Sequence, residues 1–154
     1  MNISPPLLES AIDLVMKSPN PAVERFETYL PEFESILQLV FSDDHDPLLD
    51  NEKGMLLFFT DVMLTVFQQW EPSPELPSPE EVLDLFEDTV SRWDTLDGSY
   101  EEKIELFYAS CKEQEAVAFL EDLLSDEELS PEGREILYIT GYTVIRSLTL
   151  YAEA

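Results

Sequence analysis

The sequence predicts an all-α fold, a single-domain bundle or array of six to seven helices with a central apolar helix near residues 55–70. Pairs of a capping residue and Pro recur along the chain, apolar residues recur at intervals of three and four, and the helical stretches show no sustained strand alternation. Leu, Ile, Val and Phe make up roughly a third of the 154 residues, enough to form a core. We therefore expect residues 1–154 to fold as one helical domain.

The helix starts are the clearest local signals. A residue that can cap a helix precedes Pro, whose fixed φ and missing N–H suit the first helical position. This pattern occurs at Ser4-Pro5, Asn20-Pro21, Ser78-Pro79 and Ser130-Pro131. Ser78 with Glu81, and Ser99 with Glu102, also have the spacing of a capping box. The sequence therefore marks five helix starts.

Apolar stripes follow these starts. Between residues 21 and 41 one stripe comprises Val23, Phe26, Leu30, Phe33, Leu37 and Val40. Pro31 lies inside it and removes a backbone donor, so we expect either a kink or two short helices that meet there. Later stripes comprise Val82, Phe86, Val90 and Trp93, then Ile104, Phe107, Tyr108 and Cys111, then Val117, Leu120, Leu123 and Leu124. Each predicts an amphipathic helix.

Three other segments differ in composition. Residues 55–70 are apolar nearly all round, with a narrow polar line that includes Asp61 and Thr65, which predicts a helix at the centre of the bundle. Residues 71–78 are rich in Pro and predict an extended strap within the domain. Residues 136–151 are rich in β-branched and aromatic side chains, yet we predict a helix because Ser130-Pro131 starts one and no second strand is available for pairing.

The charge restricts the classes of partner. The chain has 34 Asp and Glu against 8 Lys and Arg, and its formal net charge is -26. Binding to a nucleic-acid backbone needs cations that neutralise phosphates, so direct binding to nucleic acid is excluded, and an anionic membrane surface is disfavoured. The single Cys111 cannot form an internal disulfide. No convincing targeting signal precedes the first helix, so we expect a cytoplasmic protein.

The acids are concentrated in one part of the chain. Residues 71–130 contain 19 acids and 3 bases. Helical spacing places the carboxylates of three consecutive helices on the side away from the apolar stripes. The predicted partner-binding acidic face comprises Glu80, Asp84, Glu87, Asp88, Glu101, Glu105 and Asp122. Phe58, on the otherwise polar line of the central helix, and Trp70, at the end of that helix, are candidate apolar anchors, although both residue types are usually part of a core.

Few residues offer catalytic chemistry. His45 is the one His in the chain, and the surrounding carboxylates of Asp43, Asp44 and Asp46 predict an exposed loop histidine. Residues 43–52 contain many oxygen ligands but lack the Gly and the alternating acidic register of an EF-hand loop. We therefore predict no catalytic residues, no metal site and no cofactor.

Pairs of carboxylates three residues apart provide an alternative. Glu24 with Glu27, Glu81 with Asp84, and Glu102 with Glu105 each place two acids on one helical face. These pairs resemble the acid pairs with which helical nucleotide pyrophosphohydrolases of the MazG type hold magnesium. The resemblance implies a metal-dependent hydrolase. The chain departs from that family because its pairs lie further apart in sequence and it has few Lys and Arg to meet a triphosphate.

The leading functional expectation is a non-enzymatic, acidic protein-binding module. Its acidic face would dock a basic protein partner and occlude the Lys and Arg which that partner otherwise uses. Neutralising, inhibitory and escort roles all fit this mechanism. In one version the carboxylates mimic the phosphates of DNA and capture a nucleic-acid-binding protein. The competing explanation is that the acidic surface serves only solubility. The sequence does not predict an oligomeric state.

Overall fold

The computed structural model of the protein describes residues 3–18, 22–30, 32–69, 75–125 and 128–151. Within these residues the chain forms eight α-helices and one short 3-10 turn, with no strand. The helices are α1 (Pro5–Lys17), α2 (Ala22–Tyr29), α3 (Glu34–Val40), α4 (Asp50–Gln68), α5 (Pro79–Thr95), α6 (Tyr100–Ser110), α7 (Gln114–Leu123) and α8 (Pro131–Thr149). The 3-10 turn comprises Asp43–His45. The predicted all-α fold is confirmed.

Two long helices, α4 and α8, pack against each other at the centre. Helices α1 and α2 pack against α4, whereas α5 and α7 pack against α8. Helix α3 contacts α4, α5 and α8, and α6 packs against α7. The buried apolar side chains form one cluster that includes residues of all eight helices. No described helix is both long and apolar enough to span a bilayer.

Helix α4 is the central apolar helix that the sequence predicts. It begins at Asp50, before the predicted start at Met55, and its second half is buried on every side from Phe59 to Phe67. The predicted end at Trp70 lies outside the described residues, as do residues 71–74 of the predicted strap. Residues 75–78 have no regular secondary structure. The assignment of all 154 residues to a single domain stays a prediction.

The segment rich in β-branched residues forms helix α8, as predicted. Two of its buried hydroxyls bond within the helix: Thr143 donates to the carbonyl of Ile139 at 2.8 Å, and Ser147 donates to that of Thr143 at 2.8 Å. Gly141 allows a close approach to α7, since a Cβ at this position would lie 2.7 Å from Cδ1 of Leu120. Helix α8 is therefore a second buried core helix.

The break at Pro31 takes the form of two short helices. Helix α2 ends at Tyr29 and α3 begins at Glu34, and the N–H of Phe33 donates to the carbonyl of Tyr29 across the break at 3.0 Å. Pro31 itself lies outside the described residues. Leu30 is 50% exposed because it follows the last turn of α2, although the stripe predicts it as a core residue.

The predicted caps are confirmed wherever they are described. Ser4, Ser78, Ser99 and Ser130 each accept a backbone N–H in the first turn of the helix that follows. Ser78 and Ser99 form the predicted capping boxes with Glu81 and Glu102. The predicted cap at Asn20-Pro21 lies outside the described residues.

A carboxylate of α4, that of Glu52, accepts hydrogen bonds at the N-terminus of α8. Glu52 is fully buried, and its Oε1 accepts the N–H of Leu49 at 2.9 Å in the first turn of α4. Its Oε2 accepts the N–H of Ser130 at 2.8 Å and the hydroxyl of Ser130 at 2.9 Å. Burial alone would raise the pKa of Glu52, but these hydrogen bonds outweigh it and hold that pKa below its usual value. One carboxylate thus joins the N-termini of both central helices.

A buried ion pair fixes α2 on α4. Nε of Arg25 lies 2.9 Å from Oδ2 of Asp61, whose side chain is 2% exposed. The hydroxyl of Tyr29 donates to Oδ1 of Asp61 at 2.6 Å, and Arg25 also donates to the hydroxyls of Tyr29 and Thr65. Asp61 and Thr65 belong to the polar line of the central helix, so this line is where α2 attaches.

We predict opposite effects for two Gly→Ala substitutions. At Gly133, in the first turn of α8, a Cβ would lie 2.2 Å from Oε2 of Glu52 and would displace the shared carboxylate, so Gly133→Ala should lower the free energy of unfolding by about 2 kcal/mol or more. Gly54 lies on α4 with no atom within 4 Å of such a Cβ, so Gly54→Ala should raise stability by up to about 1 kcal/mol. Urea unfolding measures both. Equal effects at the two positions would contradict the shared cap.

Candidate functional site

The most distinctive surface is an apolar strip along one flank of α5. It comprises Pro79, Leu83, Phe86 and Val90, which share one side of the helix at intervals of four, three and four residues. Leu83 is 47% exposed, and Phe86 and Val90 are half-buried. Next to Pro79 and Leu83, a groove of about 240 Å³ between α3 and α5 reaches the buried Leu39. We call the strip and this groove together the α5 groove.

Carboxylates border the α5 groove on both sides. Glu80, Glu87 and Asp94 follow the strip along its outer edge on α5, and Asp44 faces it from the 3-10 turn. All four side chains are exposed. Within the described residues, none of the four forms an ion pair with Lys, Arg or His. The surface therefore combines accessible apolar area with uncompensated negative charge.

The opposite flank of α5 has a different character. Arg146 of α8 pairs with Asp88 at 2.9 Å and donates to the hydroxyl of Thr89 at 3.1 Å. Arg92, in the last turn of α5, donates to the hydroxyl of Ser110 at 3.3 Å and lies over the ring of Phe107. Cations near helix C-termini offset the negative end of the helix dipole. On this flank Asp88 is compensated, unlike the carboxylates beside the groove.

All seven residues of the predicted acidic face are exposed. The structure divides them into groups. Glu80 and Glu87 border the α5 groove, although helical spacing predicts them on the side away from the apolar stripe. Each lies only about 80 to 100° from the strip around the helix axis. On α6 and α7, Glu105 and Asp122 lie near half-buried Glu121. Burial raises the pKa of Glu121, and those two carboxylates raise it further.

Of the two predicted apolar anchors, Phe58 lies within the described residues. Phe58 is half-buried and packs against Phe119 of α7, with the ring centroids 6.4 Å apart. Trp70 lies outside the described residues. The apolar side chains next to Glu80 and Glu87 are those of the α5 groove, and the sequence did not predict that they are accessible. The sequence contains a sign of this surface. Pro79 and Leu83 make the apolar stripe of α5 wider than the part that Val82 and Trp93 bury in the core.

The expectation of an exposed His45 is wrong. His45 is 4% exposed, its Nε2 lies 2.7 Å from Oγ1 of Thr140 in α8, and its Nδ1 lies 3.3 Å from Oγ of Ser42. Burial lowers the pKa of His45, and the nearby Asp44 and Asp46 offset this only in part. The partner Thr140 is 95 residues away in sequence, so the acidic neighbours of His45 gave no sign of it.

Two other groups with candidate chemistry, Glu52 and Cys111, have structural roles. Glu52, in the acid-rich segment 43–52, caps two helices. Among the described residues, no three His, Cys, Asp or Glu side chains are placed to hold a metal ion. Cys111 caps the end of α6 and is half-buried, and burial raises the pKa of its thiol. Two of the acid pairs named in the sequence lie on different helices. Glu24 and Glu27 are exposed on α2, which packs against α4, and Glu81 and Asp84 belong to α5.

We predict that His45 makes stability depend on pH. Because its pKa is lower in the folded protein, the unfolded chain binds a proton more readily, so the contribution of neutral His45 is complete above about pH 6.5 and declines as pH falls. The unfolding free energy of the wild type relative to His45→Gln should therefore decrease between about pH 7.5 and pH 5.5. Urea unfolding of both proteins at each pH measures it, and the carboxylate titrations common to both cancel. A constant difference would contradict the prediction.

No known protein family matches the chain, and neither a curated protein nor a solved structure is significantly similar to it. Any functional assignment therefore rests on the geometry and charge of this chain.

Proposed function

We propose that the protein is a non-enzymatic binding module whose acidic surface docks and occludes a basic protein partner. The observation that carries the proposal is that all seven predicted carboxylates are exposed, and only Asp88 among them forms an ion pair within the described residues. A folded protein of net charge -26 leaves this surface uncompensated at a cost in self-repulsion. A cationic partner would relieve that repulsion on binding.

Such a surface affects mainly the rate of association and the choice of partner. Long-range attraction raises the association rate with a basic protein, and like charge rejects acidic ones. Exposed ion pairs each contribute little to affinity, so occlusion requires several of them together with apolar contacts. The mechanism blocks Lys and Arg that the partner uses elsewhere, which suits a neutralising, inhibitory or escort role. Mimicry of DNA phosphates is one version of it.

The proposal includes a cytoplasmic location. The chain has one cysteine, which is half-buried at the end of α6, so it forms no internal disulfide. A reducing compartment is compatible with this construction.

The first test compares two charge reversals that change the net charge equally. The variant Asp84→Lys, Glu87→Lys, Glu105→Lys alters the proposed surface, and Glu9→Lys, Glu27→Lys, Glu32→Lys alters exposed acids on α1, α2 and the turn after α2. In pull-downs from cell extract at about 50 mM salt, the wild type should retain basic proteins and release them as salt rises. The first variant should retain at least about tenfold less of them, and the second should behave as the wild type does.

Two results would contradict the proposal. Equal loss in the two variants would mean that total charge, rather than this surface, attracts basic proteins. No loss in either variant, or no basic protein retained by the wild type, would mean that the acidic residues have no docking role. Circular dichroism of both variants establishes that each remains helical.

A further inference from the structure

We infer that the α5 groove binds a basic amphipathic helix of the partner protein. This inference rests on the proposed function and adds to it the location of the apolar anchors and the form of the segment that they bind. It places the candidate anchors in the α5 groove instead of at Phe58, which packs against Phe119.

The dimensions of the strip match a helix that packs alongside α5. Pro79 and Val90 are separated by about 16 Å along the helix axis, at a rise of 1.5 Å per residue. The four apolar positions are spaced by three or four residues, so they follow one another at about 5 Å, which is close to one helical turn. A partner helix with apolar side chains at i, i+3 or i+4, and i+7 meets this spacing.

The depth of the surface varies along its length. Near Pro79 and Leu83 the groove between α3 and α5 is deep enough to reach Leu39, whereas around Phe86 and Val90 the surface is shallow. An apolar side chain near one end of the partner helix would enter the groove and cover Leu83. Leu83 is 47% exposed and therefore has more of its side chain to bury than the half-buried Phe86 and Val90.

The carboxylates that border the strip favour basic residues on the flanks of the partner helix. Glu80, Glu87 and Asp94 line one border of the strip, and Asp44 lies across the groove. A helix seated on the strip places the residues that flank its apolar face opposite these carboxylates, so Lys or Arg is complementary there. Asp or Glu at those positions would meet like charge at short range.

Two other occupants fit the surface less well. An extended segment gains affinity by adding a strand to an open sheet edge, and the described residues contain no sheet. A second copy of this chain would bring its own α5 carboxylates against those of the first, at a net charge of -26 per copy. A basic helix has neither disadvantage.

The experiment uses three fluorescent peptides of about 18 residues, which is long enough for the strip. One is an amphipathic helix of Leu and Lys, the second has the same composition with the helical spacing scrambled, and the third is an amphipathic helix of Leu and Glu. Fluorescence anisotropy with the full-length protein at about 150 mM salt should show the first peptide binding at least about tenfold more tightly than the second. The third should not bind.

Matched variants locate the site. Leu83→Ser should weaken the amphipathic basic peptide at least about fivefold and leave the scrambled peptide unchanged. Leu14→Ser on α1 removes a Leu of similar exposure, 49%, and should change neither. Chemical-shift changes in the wild type, mapped by NMR, should concentrate on α5 and α3. This measurement needs no substitution and so does not depend on a variant's stability.

The outcomes separate the two proposals. If both basic peptides bind equally and Leu83→Ser affects neither, the inference about the groove is wrong, whereas salt-dependent binding of both still supports the charge-based function. If the acidic amphipathic peptide binds as well as the basic one, the carboxylate border does not select the partner and the inference is wrong. If no peptide binds, the inference is also wrong, and the comparison of charge reversals alone decides the proposed function.

Discussion

The arrangement of this protein depends on one buried carboxylate. Glu52 accepts hydrogen bonds at the N-termini of both α4 and α8, the two helices against which most others pack. A charge buried in this way is tolerated because three donors and two helix dipoles face it. Since Gly133 leaves room for the carboxylate, the close approach of the two helix ends also depends on a missing side chain. The position of α5, and with it the groove, follows from the position of α8.

Net charge imposes the second constraint. Three acids are buried among the described residues, Glu52, Asp61 and Glu113, and each accepts a hydrogen bond from a backbone N–H or from Arg25. The other described acids remain at least partly accessible to water. Bases are scarce, and among the described residues Arg25 and Arg146 pair with carboxylates of other helices. The few cations thus stabilise contacts between helices and leave the carboxylates that border the α5 groove uncompensated.

Local signals predicted most of the helices, because caps, prolines and apolar spacing are properties of neighbouring residues. The capping boxes at Ser78 and Ser99 depend only on Glu81 and Glu102, three residues further on. Residues 136–151 form a helix that begins after Ser130, although their composition is typical of a strand. Long-range pairs could not be predicted in this way. The hydrogen bond between His45 and Thr140 and the bond between Glu52 and Ser130 join residues 95 and 78 positions apart. The sequence located the acidic residues, but only the packing of α3 beside α5 showed which apolar side chains remain accessible next to them.

The shared carboxylate also has a consequence for the order of events during synthesis. Helix α4 leaves the ribosome long before α8, so Glu52 is made while the Ser130 backbone that will satisfy it does not yet exist. Until residues near 130 emerge, Glu52 has only the N–H of Leu49 as a hydrogen-bond donor, and the site that buries it is incomplete because Ser130 and Gly133 form part of it. Helix α8 therefore completes the core around Glu52, and a chain interrupted before α8 lacks the Ser130 donors of this carboxylate.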